Sequence, residues 1–252
     1  CLDFSSPNTV HIKANSGLVV RHDENSLMLI NGTAPVDKSW KYEKIANGHA
    51  YSSVSGKVEI ISYPWHINIY DAQGKLLTST IHNADVELST YTPVMPFSFV
   101  RRASDYSRSF CASFTLSPDE KIFGLGESYQ SFNKRGQKVV LWTDDANGIQ
   151  NESMYKPIPF YMSSRGYGVF MHTSTPITCD FGKYWSGANY MMIGDEELDL
   201  FVFLGKPKEI LSAYTDLTGK AEMPPLWSFG FWMSRITYFS QMEGLMVADK
   251  LR

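Results

Sequence analysis

Apolar and polar positions alternate in short stretches along most of this chain, a period that suits strands with one buried face. Thr9 to Ala14 alternates, with Val10 and Ile12 on one side. Leu18 to Arg21, Ser26 to Ile30, Lys57 to Ser62 and His66 to Tyr70 repeat that texture. Asp71-Ala72-Gln73-Gly74-Lys75 predicts a hairpin turn into Leu76 to Ile81. Ser107 to Leu116 sets Phe110, Ala112 and Phe114 on one face. Pro159 to Ser163 and Tyr167 to His172 flank Ser164-Arg165-Gly166, a second hairpin, and Leu198 to Leu204 is a further apolar strand. Many short strands at near-regular spacing predict a mainly β fold, an antiparallel β-sandwich.

The period changes near residue 206. Ile210, Leu211, Tyr214 and Leu217 recur at helical spacing, and Gly219 stands where a C-cap belongs. Pro224-Pro225 then punctuates a boundary, since proline fixes φ and cannot donate to a ladder. The aromatic run from Trp227 to Ser234 suits a strand buried on both faces, and Ser240 precedes a helix over Gln241 to Arg252. A buried strand followed by a helix is the start of a βα repeat. One such unit cannot bury itself, so the expectation is a sandwich over 1–222 and the beginning of a second, truncated domain over 223–252.

Composition narrows the function classes. Of 252 residues, 43% are hydrophobic and 19% charged, a globular balance. Aromatic residues reach 14%, which suits sheets and also binding faces. A net charge of −3 without a basic run argues against nucleic acid. No apolar stretch approaches the roughly 20 residues of a membrane span, so no membrane partner is expected. Cys1, Cys111 and Cys179 are widely spaced, with neither a disulfide framework nor zinc spacing, which fits a reducing, cytoplasmic setting. Cys1 also matches the lipid-carrying first residue of an exported lipoprotein; a simple fragment start is the blander reading. Asn31-Gly32-Thr33 and Asn151-Glu152-Ser153 match the glycosylation acceptor pattern, a match common by chance.

Candidate chemistry gathers in two places. Phe123-Gly124-Leu125-Gly126-Glu127 holds a G-x-G but lacks the third glycine and the following helix of a dinucleotide site, so no cofactor is expected there. It predicts a tight turn whose backbone passes close to another segment, with Glu127 as either a site carboxylate or a solvated loop residue. Leu141-Trp142-Thr143-Asp144-Asp145-Ala146-Asn147-Gly148 sets two carboxylates beside a tryptophan, on a loop delivered by a strand over Lys138 to Trp142. A ring that stacks on a sugar's C–H face beside carboxylates that accept from hydroxyls is what carbohydrate binding needs. Asp and Asn are equally the residues of a surface turn. The six histidines form no metal-ligand spacing, no nucleophile elbow is present, and nothing nominates a Ser–His–Asp triad.

Taken in order, the G-x-G segment, Trp142-Thr143-Asp144-Asp145, Tyr155-Lys156-Pro157-Ile158-Pro159-Phe160-Tyr161, Arg165-Gly166-Tyr167-Gly168-Val169 and Pro224-Pro225-Leu226-Trp227-Ser228-Phe229-Gly230 form a series. It resembles the N-terminal region of glycoside hydrolase family 31, the α-glucosidase and α-xylosidase family, over roughly residues 105 to 252. The resemblance implies a galactose-mutarotase-like supersandwich followed by the first strand and helix of a (β/α)₈ barrel. The form Trp-Ser-Phe-Gly-Phe-Trp-Met-Ser is closer to the α-xylosidase branch.

The resemblance also implies a retaining α-glycosidase acting on non-reducing terminal α-linked sugars. Its paired carboxylates, about 5–5.5 Å apart, would lie on barrel strands beyond Arg252, so this chain would hold no catalytic residue and be inactive alone. The substrate-contacting aspartate maps best to Asp145, with Asp144 as the fallback and Trp142 beside them. An aromatic after the first barrel strand maps to Tyr238. The implied partners are an oligosaccharide substrate and the missing barrel. A family fold usually has more residues before Leu2, which favours a clipped chain over a lipoprotein. Exposed rings at the truncated end would invite self-association into a homo-oligomer. The alternatives are a stand-alone carbohydrate-binding sandwich without catalysis, and a sugar epimerase, which would need a converging His and Glu pair.

Overall fold

Why the period-two stretches hold is visible in a computed structural model, which describes residues 1–16, 25–82, 95–144, 153–232 and 235–252. In chain order the strands are β1 (Leu2–Ser6), β2 (Thr9–Asn15), β3 (Lys41–Ile45), β4 (Gly48–Ser52), β5 (Gly56–Ile61), β6 (His66–Asp71), β7 (Leu76–Ser79) and β8 (Phe97–Arg101). They continue with β9 (Arg108–Thr115), β10 (Ile122–Glu127), β11 (Lys138–Leu141), β12 (Lys156–Ser163), β13 (Tyr167–Met171), β14 (Ile177–Phe181), β15 (Ala188–Ile193) and β16 (Glu197–Leu204). Two helices follow, α1 (Pro207–Thr218) and α2 (Gln241–Leu251). All strand pairings among the described residues are antiparallel. They build a sheet of order β1-β2-β16-β13-β12-β10, a second of order β11-β14-β15-β9-β8, and a third of order β3-β4-β5-β6-β7.

The chain divides into two units, Cys1–Gly219 and Lys220–Arg252. In the first, one core runs between the sheets. Val10, Ile12, Val169, Leu200 and Val202 enter it from the six-stranded sheet, Phe110, Phe114, Cys179 and Met191 from the second, and Val58, Ile69 and Leu77 from the third. The even positions of β16 point into that core. Its odd positions Phe201 and Phe203 point the other way and join Phe160, Phe170, Ile210 and Leu217 in a second cluster. Strand β16 is therefore covered on both faces along its second half, which is why its sequence is apolar without a break from Leu200 to Leu204 and does not alternate. Helix α1 provides the cover with Ile210 and Leu217, and ends at Gly219, whose N–H donates to Thr215 O at 2.8 Å.

Three expectations are corrected. The G-x-G segment is no turn but strand β10, interrupted by a bulge between Gly124 and Gly126. Gly124, Leu125 and Gly126 all have positive φ, at 123°, 71° and 90°. The expected close approach is present: a Cβ on Gly126 would stand 2.0 Å from Lys156 O. Glycine is required there because the neighbouring β12 backbone fills the space a side chain would take.

Ser26 to Ile30 is also not a strand. Ser26 N–H donates to Gly32 O at 2.7 Å and Gly32 N–H to Leu29 O at 2.9 Å, closing a loop with Leu29 inward and Leu27 and Ile30 exposed. Last, Trp227 to Ser234 does not form the expected strand within its described part. Leu226–Phe229 is a 3-10 turn with no buried residue, because a strand of this kind needs ladder partners on each side and the Lys220–Arg252 unit contains none among its described residues. Helix α2 forms as expected, capped by Ser240 Oγ, which accepts from Glu243 N–H at 3.2 Å. The strand expected over Leu18 to Arg21 lies outside the described residues. No helix is long and apolar enough to cross a membrane among those described.

Candidate functional site

The sugar-contact loop predicted from sequence leaves the end of β11. Alternation along that strand buries Val139 and Leu141 and turns Val140 and Trp142 outward, and Trp142 is 54% exposed. The base of the loop is tied. Thr143 bridges Met154 in parallel, Asp144 N–H donates to Met154 O at 3.1 Å, and Ser153 Oγ donates to Asp144 Oδ2 at 3.1 Å. Met154, 2% exposed, anchors the far side of this clamp in the core. One carboxylate oxygen of Asp144 thus has an intramolecular donor, while its residue stays exposed. Asp145 lies outside the described residues. Glu127 pairs with Lys156 at 3.8 Å in open solvent, which is the solvated reading of that residue.

Tyr238 sits in the second unit, partly exposed, on the segment before α2. That segment is organised by Glu243, which accepts from Phe239 N–H at 2.9 Å and pairs with Arg235 at 2.8 Å.

Sequence reasoning missed a polar cluster on the outer face of the six-stranded sheet. Pairing of β2 with β16 sets His11 opposite Phe201, and pairing of β13 with β16 sets Phe170 opposite Phe201, so His11, Asp199, Phe201 and Phe170 share one face. His172 follows β13 directly and donates its N–H to Asp199 O at 2.9 Å. Asp199 Oδ1 meets His11 Nε2 at 2.5 Å and Asp199 Oδ2 meets His172 Nδ1 at 2.8 Å. The far nitrogen of His172, Nε2, lies 2.6 Å from Ser26 Oγ, and Ser26 Oγ in turn accepts from Met28 N–H at 3.1 Å. His11 stacks on Phe201 with ring centroids 3.9 Å apart. Burial raises the Asp199 pKa, but hydrogen bonds from His11 and His172, and their charge, outweigh it and hold the carboxyl down at about 2. The cluster borders a cavity of about 540 Å³. No sequence motif marks it, because its members lie up to 188 positions apart and only strand register brings them together.

The sequence model of the Glycosyl hydrolase 31 N-terminal galactose mutarotase-like domain matches residues 1–180. An alpha-xylosidase of Emericella nidulans is 44% identical over 124 residues, 49% of this chain and 16% of that protein. An alpha-xylosidase of Lactiplantibacillus pentosus is 44% identical over 141 residues, 55% of this chain and 18% of that protein. The chain therefore matches less than a fifth of the length of each of these relatives. Among solved structures, a Flavobacterium johnsoniae GH31 dextranase complexed with isomaltotriose aligns with TM-score 0.76 at 25% identity, covering 91% of this chain and 27% of that one. A GH31 alpha-xylosidase from a soil metagenome, complexed with xylose, aligns with TM-score 0.76 over 96% of this chain and 35% of its own, at 22% identity, a likeness of fold. Matched along residues 1–180 and built of the same antiparallel sheets, the chain belongs to the N-terminal galactose mutarotase-like domain family of glycosyl hydrolase 31.

Proposed function

We propose that this chain is the N-terminal sandwich of a retaining α-glycosidase that removes non-reducing terminal α-linked sugars, with xylose the preferred sugar. The observation that supports the sugar preference is the 44% identity to two alpha-xylosidases, against 27% to an alpha-glucosidase of Bacillus thermoamyloliquefaciens. In this reading Lys220–Arg252 opens a catalytic (β/α)₈ barrel, and the two catalytic carboxylates belong to that barrel. The sandwich supports it and lends one loop to the rim of the sugar site, which in barrels of this kind is built from strand-end loops.

That loop runs from Trp142, and its tied base supports a positioning role. The clamp between Thr143 and Met154 holds the loop's ends together, so the carboxylates it carries start from a fixed stem. Asp145 accepts from sugar hydroxyls, Asp144 is its fallback, and Trp142 and Tyr238 supply ring faces. Outside the catalytic pair, such contacts act through binding and orientation. The partner is an oligosaccharide, and the setting is cytoplasmic. In the full-length enzyme Asp145→Ala should lower kcat/KM for an aryl α-xyloside about 10- to 100-fold, the loss of one charged hydrogen bond. Unchanged kinetics would reduce Asp145 to a turn residue.

A further inference from the structure

We infer that Ser26, His172 and Asp199 form a nucleophilic triad at the outer cavity of the six-stranded sheet, one that accepts the acyl group of a small neutral ester. This goes beyond the glycosidase reading and is independent of it.

Asp199 is ionised and accepts from both histidines, so His172 carries its proton on Nδ1. In the neutral ring Nε2 is then the acceptor, and the Ser26 hydroxyl 2.6 Å away is its donor. Met28 N–H donates to the same oxygen and fixes its place on the loop. A nucleophile bonded to a base that a carboxylate orients is the arrangement acyl transfer requires. His11 on the second carboxylate oxygen, stacked against Phe201 and 4% exposed, locks the orienting group in turn.

Ser26 is half buried and lines the cavity beside Asn25. Asp3, Asp195, Glu197 and Asp199 line it against Lys13, so anionic substrates are disfavoured and a neutral ester such as an acetyl group fits best. In the reaction Ser26 Oγ attacks the ester carbonyl while its proton passes to His172 Nε2. The tetrahedral adduct expels the alcohol, which takes that proton. Water then attacks the Ser26 ester, giving its proton through His172, and releases the carboxylic acid with Ser26 restored.

The test uses the whole 252-residue chain. It is treated with a fluorophosphonate, and the adduct is located by peptide mass; turnover is followed with 4-nitrophenyl acetate. The expected result is one adduct on Ser26, abolished by Ser26→Ala and slowed at least tenfold by His172→Gln and by Asp199→Asn. Absence of a Ser26 adduct, or labelling undiminished by His172→Gln, would overturn the triad and leave a latch that pins the loop to the sheet. Should the histidine variant fail to fold, Ser26→Cys keeps the question open to decision. A thiol paired with His172 should be alkylated by iodoacetamide with an apparent pKa at least one unit below the ordinary value of about 8.5, whereas an ordinary thiol profile would overturn the assignment.

Discussion

Phe201 and Phe231 are the same residue in two regions with opposite fates. Phe201 is 0% exposed, held between His11, Phe170 and the helix-covered face of the sandwich; Phe231 is 90% exposed. Cys1–Gly219 has a core to which three sheets contribute, while Lys220–Arg252 has no buried residue among those described, despite Trp227, Phe229, Phe231, Trp232 and Phe239. Aromatic content therefore does not decide burial here. Ladder partners and a second layer do. The sandwich meets its own needs, and the aromatic segment after it has the composition of a core without the layers that would make one.

The contrast is broken most directly by truncating rings. Phe201→Ala should destabilise the sandwich by about 3–5 kcal/mol, read by urea denaturation, while Phe231→Ala should change it by no more than about 0.5 kcal/mol. Similar losses at both would mean that the two regions share a core.

Glycines sharpen the same comparison on the backbone. Gly126 in β10 has φ of 90° and no room for a Cβ, whereas Gly244 in α2 faces open space. Gly126→Ala should cost about 2–4 kcal/mol, and Gly244→Ala should favour its helix by about 0.5–1 kcal/mol, seen as increased far-ultraviolet helical signal. A tolerated Gly126→Ala would remove the bulge from the account.

Acid probes the sandwich through polar groups. Asp199 titrates at about 2 in the fold against about 3.9 unfolded, so its carboxylate stabilises the fold above about pH 4 and ceases to do so as pH falls toward 2. The loss is about 2 kcal/mol, and Asp199→Asn should flatten this part of the stability curve. An unchanged slope in the variant would show that His11 and His172 do not hold that charge.

How far the sequence foretold all this follows the same physics. Strand β16 was legible because burial on both faces leaves an apolar run from Leu200 to Leu204, and α1 because Ile210, Leu217 and Gly219 mark its face and its end. Strand β3 was not, since Lys41–Ile45 lies at a sheet edge and is mostly exposed, with no alternation to detect. The Gly124–Gly126 bulge shares its residues with turns, so composition alone could not separate them. The end of β11 near Trp142 was legible from the turn-forming residues after it, but the Thr143–Met154 tie and the Ser26–His172–Asp199 cluster depend on pairing between segments apart in the chain, which no local pattern encodes.

The central proposal is that this chain lends a loop to a sugar site whose catalytic carboxylates lie outside it. Its most direct test is release of 4-nitrophenol from 4-nitrophenyl α-xyloside by the purified 252-residue chain. The account predicts no release above the buffer rate at any protein concentration. Release that scales with protein and falls when Asp144 and Asp145 are both replaced by alanine would place the catalytic carboxylates inside the chain and contradict it.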